Sequence, residues 1–199
     1  MRWALAYKNL SCEFTSVNLL NDDTESPEHL RRNPLGYVPA LEVMTEKGLI
    51  CLAESIAILE WLEEVHPNAP LLPSDSFLRA RTRQMVEIVN AGTQPLQNLN
   101  VLHFYSADPQ EQRKWAQHWI RKGLSAFEVL AKETSGRFCI GDDLTWADLA
   151  LIPQCYNAGR QGLELTDFPR LKKIYEAALL TPSGQASHPD RFEPAQAKS

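Results

Sequence analysis

Hydrophobic positions along the chain follow two rhythms, and the change between them comes near residue 70. Before it, short alternating runs stand beside helical ones. Arg2-Trp3-Ala4-Leu5-Ala6-Tyr7-Lys8 has the apolar content of a helix with a buried face, with no cap or strand leading into it. Residues 13–19 mix β-branched and aromatic side chains in rough alternation, which predicts a strand. The polar, turn-rich run from Asn21 to Pro27 predicts a loop. Residues 40–44 and 49–53, on either side of Thr45-Glu46-Lys47-Gly48, predict a hairpin. Ser55 is suited to cap a helix over 56–65, with Ile56, Leu59 and Val65 on its apolar face and Pro67 beyond its end.

Pro70 and Pro73 punctuate a linker, and from Ser76 the period becomes helical almost throughout. Leu78, Thr82, Met85, Val89, Gly92 and Leu96 recur at steps of three and four, predicting one buried helix face that continues past Gly92. Asp108 and Pro109 supply a cap and a first-position proline for a long helix to about residue 136. That helix has Ala116, Trp119, Ile120, Leu124, Phe127 and Leu130 inside. Thr145 and Asp148 form a capping box, and Leu144 and Leu149 occupy the positions of a hydrophobic staple. Asp167 with Pro169, and Thr181 with Pro182, open two more helices. The pattern therefore predicts an α/β unit over residues 1–68, an all-helical unit over 74–194 and a disordered tail at 195–199.

Composition narrows the function classes. Over 199 residues, 44% hydrophobic and 23% charged content is that of a globular protein. A net charge of −5 argues against nucleic acid as a partner. No apolar run reaches the roughly 18 residues of a bilayer span, and no secretory signal pattern opens the chain. Cys12, Cys51, Cys139 and Cys155 are far apart and read as small buried hydrophobes in a reducing, cytoplasmic compartment. His29, His66, His103, His118 and His188 show no metal-ligand spacing, so no metal site is expected.

Three stretches can carry chemistry. Asn33-Pro34-Leu35-Gly36-Tyr37-Val38-Pro39 places Val38-Pro39 between a glycine-containing loop and a strand. That bond is either a trans proline starting the strand or a cis proline exposing the Val38 backbone for outside pairing. Glu54-Ser55 opens a helix, where N–H groups and a hydroxyl take a carboxylate and Glu54 takes an amine; Ser55 as a plain cap is the other reading. Gln94, Gln97, Asn98 and Asn100 cluster as amides after Gly92. Arg160 is a charge at the end of an apolar helix, either solvated or facing an anion. Trp115 and Trp119, four apart, read as packing.

Taken in order, NPLGYVPAL, AESIAILEWLEE, GTQPLQNLNVL, IGDDLTWADLALIPQ and YNAGR resemble the glutathione transferase superfamily. Within it they resemble the zeta class, the maleylacetoacetate isomerases, over residues 2 to about 194. The resemblance implies a thioredoxin-like N-terminal domain lacking its first strand, followed by a helical domain, in a homodimer with glutathione as cofactor. It implies that Val38, before a cis Pro39, pairs with the cysteinyl backbone of glutathione, and that Glu54 and Ser55 hold its γ-glutamyl end. Gln94, Asn98 and Asn100 match amides lining the active cleft, and Arg160, together with Arg2, is expected at the carboxylates of a small-molecule substrate.

The implied reaction is isomerisation of a maleyl-type keto diacid, maleylacetoacetate to fumarylacetoacetate, in aromatic amino-acid breakdown, with general glutathione transferase activity. Alternatives are a maleylpyruvate isomerase and a catalytically inactive binding module of the same fold. The resemblance also implies a strand and a Ser-Ser-Cys-like motif ahead of the helix that matches residues 2–8. The expectation is that this motif lies before Met1, so that no catalytic residue is assigned here. Glu54 stands where the zeta class commonly has Gln, Thr24 where a Gln often contributes, and the hairpin at Glu46-Lys47-Gly48 is a few residues longer than usual.

Overall fold

The computed structural model describes residues 1–19 and 22–192, so the tail expected to be disordered at 195–199 lies outside the described residues, as does Asn21. The chain divides into two units, one of Met1–Pro70 with 186–192 and one of Leu71–Gln185.

In the first unit, α1 (Arg2–Tyr7) buries Trp3, Ala4 and Leu5. α2 (Pro27–Arg32) starts at Ser26, whose Oγ accepts from the His29 N–H at 3.2 Å. The sequence reading predicts no helix here, because Ser26-Pro27 serves equally as turn chemistry. β1 (Ala40–Thr45) and β2 (Gly48–Ala53) form the expected hairpin, antiparallel, with Ala40 opposite Ala53 and Thr45 opposite Gly48. Gly48 takes φ +106° at the turn, and Thr45 Oγ donates to the Gly48 carbonyl at 2.8 Å. α3 (Ser55–Val65) buries Ile58, Leu59 and Leu62.

Two expectations fail here. Residues 13–19 are not a strand: the two-stranded β1–β2 sheet is the only sheet among the described residues. A strand persists through a neighbour's N–H and C=O groups, and β1 and β2 pair with each other alone. Residues 13–16 stay exposed, and Phe14 sets its ring edge-on to Phe192 with centroids 5.3 Å apart. Nor does Ser55 cap α3. Glu54 holds the cap position, at φ 67° and ψ 117°, and Ser55 is the first helical residue.

The second unit is helical. α4 (Ser76–Asn90) is capped by Asp75, which accepts from the Leu78 N–H at 2.8 Å, and buries Thr82, Met85, Val86 and Val89. It stops at Asn90 instead of continuing to Leu96. Gly92 favours the unfolded chain and Pro95 lacks a donor, so the backbone turns back, with Thr93 N and Gln94 N both on the Val89 carbonyl. A 3-10 turn (Pro95–Gln97) leads into α5 (Leu99–Tyr105), a helix the period-based reading merges with the one before it.

α6 (Pro109–Thr134) has the expected Asp108 cap and buries Ala116, Ile120, Gly123, Leu124, Phe127 and Ala131. Trp115 packs between Tyr105 and Trp119 and donates to the Leu96 carbonyl at 2.7 Å, as a packing residue would. α7 (Trp146–Arg160) opens with the Thr145–Asp148 capping box and is the most buried helix of the unit. α8 (Pro169–Leu179) is not capped by Asp167. Glu128 of α6 accepts from Arg170 N and Leu171 N at 3.2 and 3.0 Å, while Asp167 pairs with Arg121. α9 (Pro182–Ser187) follows Thr181, whose Oγ accepts from Gly184 N. Among the described residues no helix is long and apolar enough to cross a membrane.

Candidate active site

The loop between α2 and β1 delivers Val38 to the surface. The Val38–Pro39 bond is cis, and Val38 is half exposed. The preceding carbonyl, that of Tyr37, receives two donors, His29 Nε2 at 2.9 Å and Asn33 Nδ2 at 3.0 Å. Both side chains are buried. Neither was singled out from sequence; the signal available was the Ser26-Pro27 cap, which starts the helix that carries His29 and ends at Asn33.

Following β2, Glu54 occupies the left-handed side of backbone space, which costs a non-glycine residue on the order of 1–3 kcal/mol. Its carbonyl still accepts from Ile58 N at 3.0 Å, so it begins α3 geometrically while no side chain caps the helix. The first-turn N–H groups of an eleven-residue helix thus converge beside the exposed Glu54 carboxylate and the Ser55 hydroxyl. Arg2, expected at a substrate carboxylate, has its guanidinium 3.9 Å over the Phe192 ring.

In the second unit, the amide cluster is only partly the one expected. Gln94 and Asn100 are exposed, and Asn98 spends its Oδ1 as the cap of α5, accepting from Asn100 N at 3.1 Å. The side-chain amide network instead centres on Gln97, which is half-buried. Its Nε2 donates to Gln154 Oε1, and its Oε1 accepts from Asn157 Nδ2 at 2.7 Å. Gln154 and Asn157 lie one turn apart on α7, a helix whose apolar composition hides them from a sequence reading. Arg160 ends α7 at the rim of an open depression of about 560 Å³, which also takes in Tyr156, Glu164, Thr166, Lys172 and Tyr175. Its lining brings together two cationic side chains, Arg160 and Lys172 from two helices, and one carboxylate, Glu164.

All four cysteines are free, but none is a ready nucleophile. Burial pushes the Cys155 thiol up to about 12 and Cys139 well above its ordinary value. Cys12 is also raised by burial, and Cys51 by burial and then by the charge of Glu42. Cys51 departs from the sequence expectation in being exposed on β2. No cluster of His, Cys, Asp and Glu among the described residues could hold a metal ion.

Residues 1–64 match the family model "Glutathione S-transferase, N-terminal domain", and residues 96–183 match "Glutathione S-transferase, C-terminal domain". The maleylacetoacetate isomerase of Dictyostelium discoideum is 40% identical over 187 residues, 92% of this chain and 84% of that protein. The crystal structure of maleylacetoacetate isomerase from Anaeromyxobacter dehalogenans 2CP-1, with glutathione bound in its active site, is 44% identical with a TM-score of 0.89. The match covers 98% of this chain and 91% of that one. A bacterial maleylpyruvate isomerase described as a zeta-class glutathione S-transferase has a TM-score of 0.91 at 31% identity, covering 98% and 93%. The chain therefore belongs to the glutathione S-transferase superfamily, in the branch that holds the zeta class and the maleylacetoacetate isomerases.

Proposed function

We propose that the chain is a glutathione-dependent cis–trans isomerase of a maleyl-type keto diacid, converting maleylacetoacetate to fumarylacetoacetate in the breakdown of tyrosine. The observation that carries it is Glu54, held at positive φ at the uncapped start of α3. A non-glycine residue persists in that conformation only where the surrounding structure holds it, and strained positions of this kind cluster at ligand-binding sites. An ammonium and a carboxylate on one carbon, as at the γ-glutamyl end of glutathione, match Glu54 and the α3 N–H groups with Ser55. The exposed backbone of Val38, ahead of Pro39, suits the cysteinyl amide.

When bound, glutathione supplies the thiolate that adds to the cis double bond, lets the resulting single bond rotate and leaves again by elimination. The chain's own thiols, all raised, are unsuited to that task. Arg160 takes a carboxylate of the diacid as a charge-assisted hydrogen-bond donor. Gln94, Asn98 through its Nδ2 and Asn100 offer uncharged hydrogen bonds to ligand. Arg2, its charge committed to the Phe192 ring, is left out of this assignment.

The same reading makes the protein a cytoplasmic homodimer. Its support is the set of free cysteines and the exposed cross-strand pair Met44 and Leu49, apolar surface suited to a second copy. Maleylpyruvate is a second candidate substrate, favoured by the backbone likeness to the maleylpyruvate isomerase. Initial rates on the two maleyl acids decide between them. Arg160→Met tests the assignment itself: KM for the diacid should rise about tenfold with KM for glutathione unchanged. An unaltered diacid KM would remove Arg160 from the site.

A further inference from the structure

We propose that His29 is a positioning residue of the glutathione site, acting through the Tyr37 carbonyl on the backbone of Val38. The inference rests on the glutathione reading above. His29 and Asn33 are only 5% and 3% exposed, and their side-chain nitrogens lie 2.9 and 3.0 Å from the one carbonyl oxygen. A carbonyl oxygen only accepts, so both nitrogens donate and the His29 proton sits on Nε2. Both lone pairs of the Tyr37 oxygen are thereby filled.

The loop has little else to hold it. Leu35, Tyr37 and Val38 are 64%, 39% and 46% exposed, so apolar packing does not fix their positions. Asn33 shapes the turn from within, its Oδ1 accepting from Leu35 N and its carbonyl from Gly36 N. His29 is different in kind: it reaches the loop from the body of α2, whose start is fixed by the Ser26 cap. A buried ring nitrogen is costly unless paired, and an apolar ring of similar size would fill the place without that cost. The donor is what a histidine adds there. Val38, the next residue along, offers the backbone groups that pair with the cysteinyl part of glutathione. Their direction depends on where the Tyr37 peptide is held.

The test compares the wild-type chain with His29→Phe, which keeps a buried ring but loses the donor, and His29→Gln, whose Nε2 reaches about as far. Glutathione binding is measured by isothermal titration, and KM and kcat by isomerase assay, on samples checked for native circular dichroism. In His29→Phe glutathione Kd and KM should rise about fivefold, as for one lost neutral hydrogen bond, with kcat within twofold. His29→Gln should stay within twofold of wild type in both. Folded His29→Phe binding as well as wild type, or folded His29→Gln losing as much as His29→Phe, overturns the inference. If His29→Phe does not fold, the His29→Gln result alone decides, a fivefold loss overturning it. Absence of binding by the wild type would overturn the glutathione reading itself, an outcome distinct from the others.

Discussion

The Lys8 ammonium meets the Glu63 carboxylate at 2.9 Å, with the two side chains only 1% and 11% exposed. Lys8 also donates to the carbonyls of His66, Asn68 and Ala69 at 2.9, 3.4 and 3.2 Å. The end of α1 is thus tied to the end of α3, the helix whose start carries Glu54 and Ser55. Removing one partner of a buried ion pair is strongly destabilising. Lys8→Met should therefore lower stability by about 3 kcal/mol in urea unfolding. Glu63→Gln, which leaves the buried ammonium its three carbonyl acceptors, should cost less than Lys8→Met in the same assay.

Glu54 makes stability and binding move in opposite directions. Glycine adopts φ near +67° freely, so Glu54→Gly should leave thermal stability unchanged or raise it by about 1 kcal/mol. Glutathione Kd should nevertheless rise about tenfold, since the carboxylate for the ammonium is gone. Calorimetry on one sample reads both. Loss of stability without loss of affinity would mean that Glu54 is structural.

Gly123 lets α6 pass the turn after α4. A Cβ there would meet Thr93 Oγ at 2.1 Å and Thr93 Cβ at 3.1 Å, and Thr93 is fully enclosed and bonded to the Ile88 carbonyl at 2.7 Å. Gly123→Ala should cost roughly 2–3 kcal/mol by overpacking. Adding Thr93→Ala removes the nearest atom, so the double variant should lose less than the sum of the two single ones in a double-mutant cycle.

Asp148 sets a pH dependence. Its buried carboxyl accepts from Cys139 N at 2.9 Å, Thr145 N at 2.8 Å and Thr145 Oγ at 3.0 Å. Burial raises it above the ordinary 3.8, with those hydrogen bonds opposing. A raised folded value means that the folded chain holds the proton more tightly than the unfolded one. This contribution is complete below pH 3.8 and is lost as pH climbs through the folded value. The stability of wild type minus that of Asp148→Asn, from urea unfolding across pH 4–7, should fall with rising pH. A difference that rises instead would mean that the hydrogen bonds outweigh burial.

Much of this was legible in the chain, and the failures have physical causes. Caps and turns act locally, so Asp108, the Thr145–Asp148 box and the β1–β2 hairpin follow directly from sequence. The run 13–19 has strand chemistry, but pairing depends on a neighbour, and composition does not reveal one. α4 and α5 share a hydrophobic period, so only the backbone effects of Gly92 and Pro95 separate them. At the site, Val38, Glu54, Ser55 and Arg160 stand out by type and position. His29 and Gln97 do not, because each matters through a distant carbonyl or amide that only the folded chain brings near. Asn98 was visible as an amide, yet its oxygen serves α5.

The most direct measurement is the isomerisation of maleylacetoacetate by the purified chain, followed spectroscopically with and without glutathione. The account expects turnover that saturates in glutathione, vanishes on its omission and falls about tenfold in kcat/KM for the diacid in Arg160→Met. Turnover unaffected by omitting glutathione, or none at all from a folded chain that binds glutathione, would contradict it.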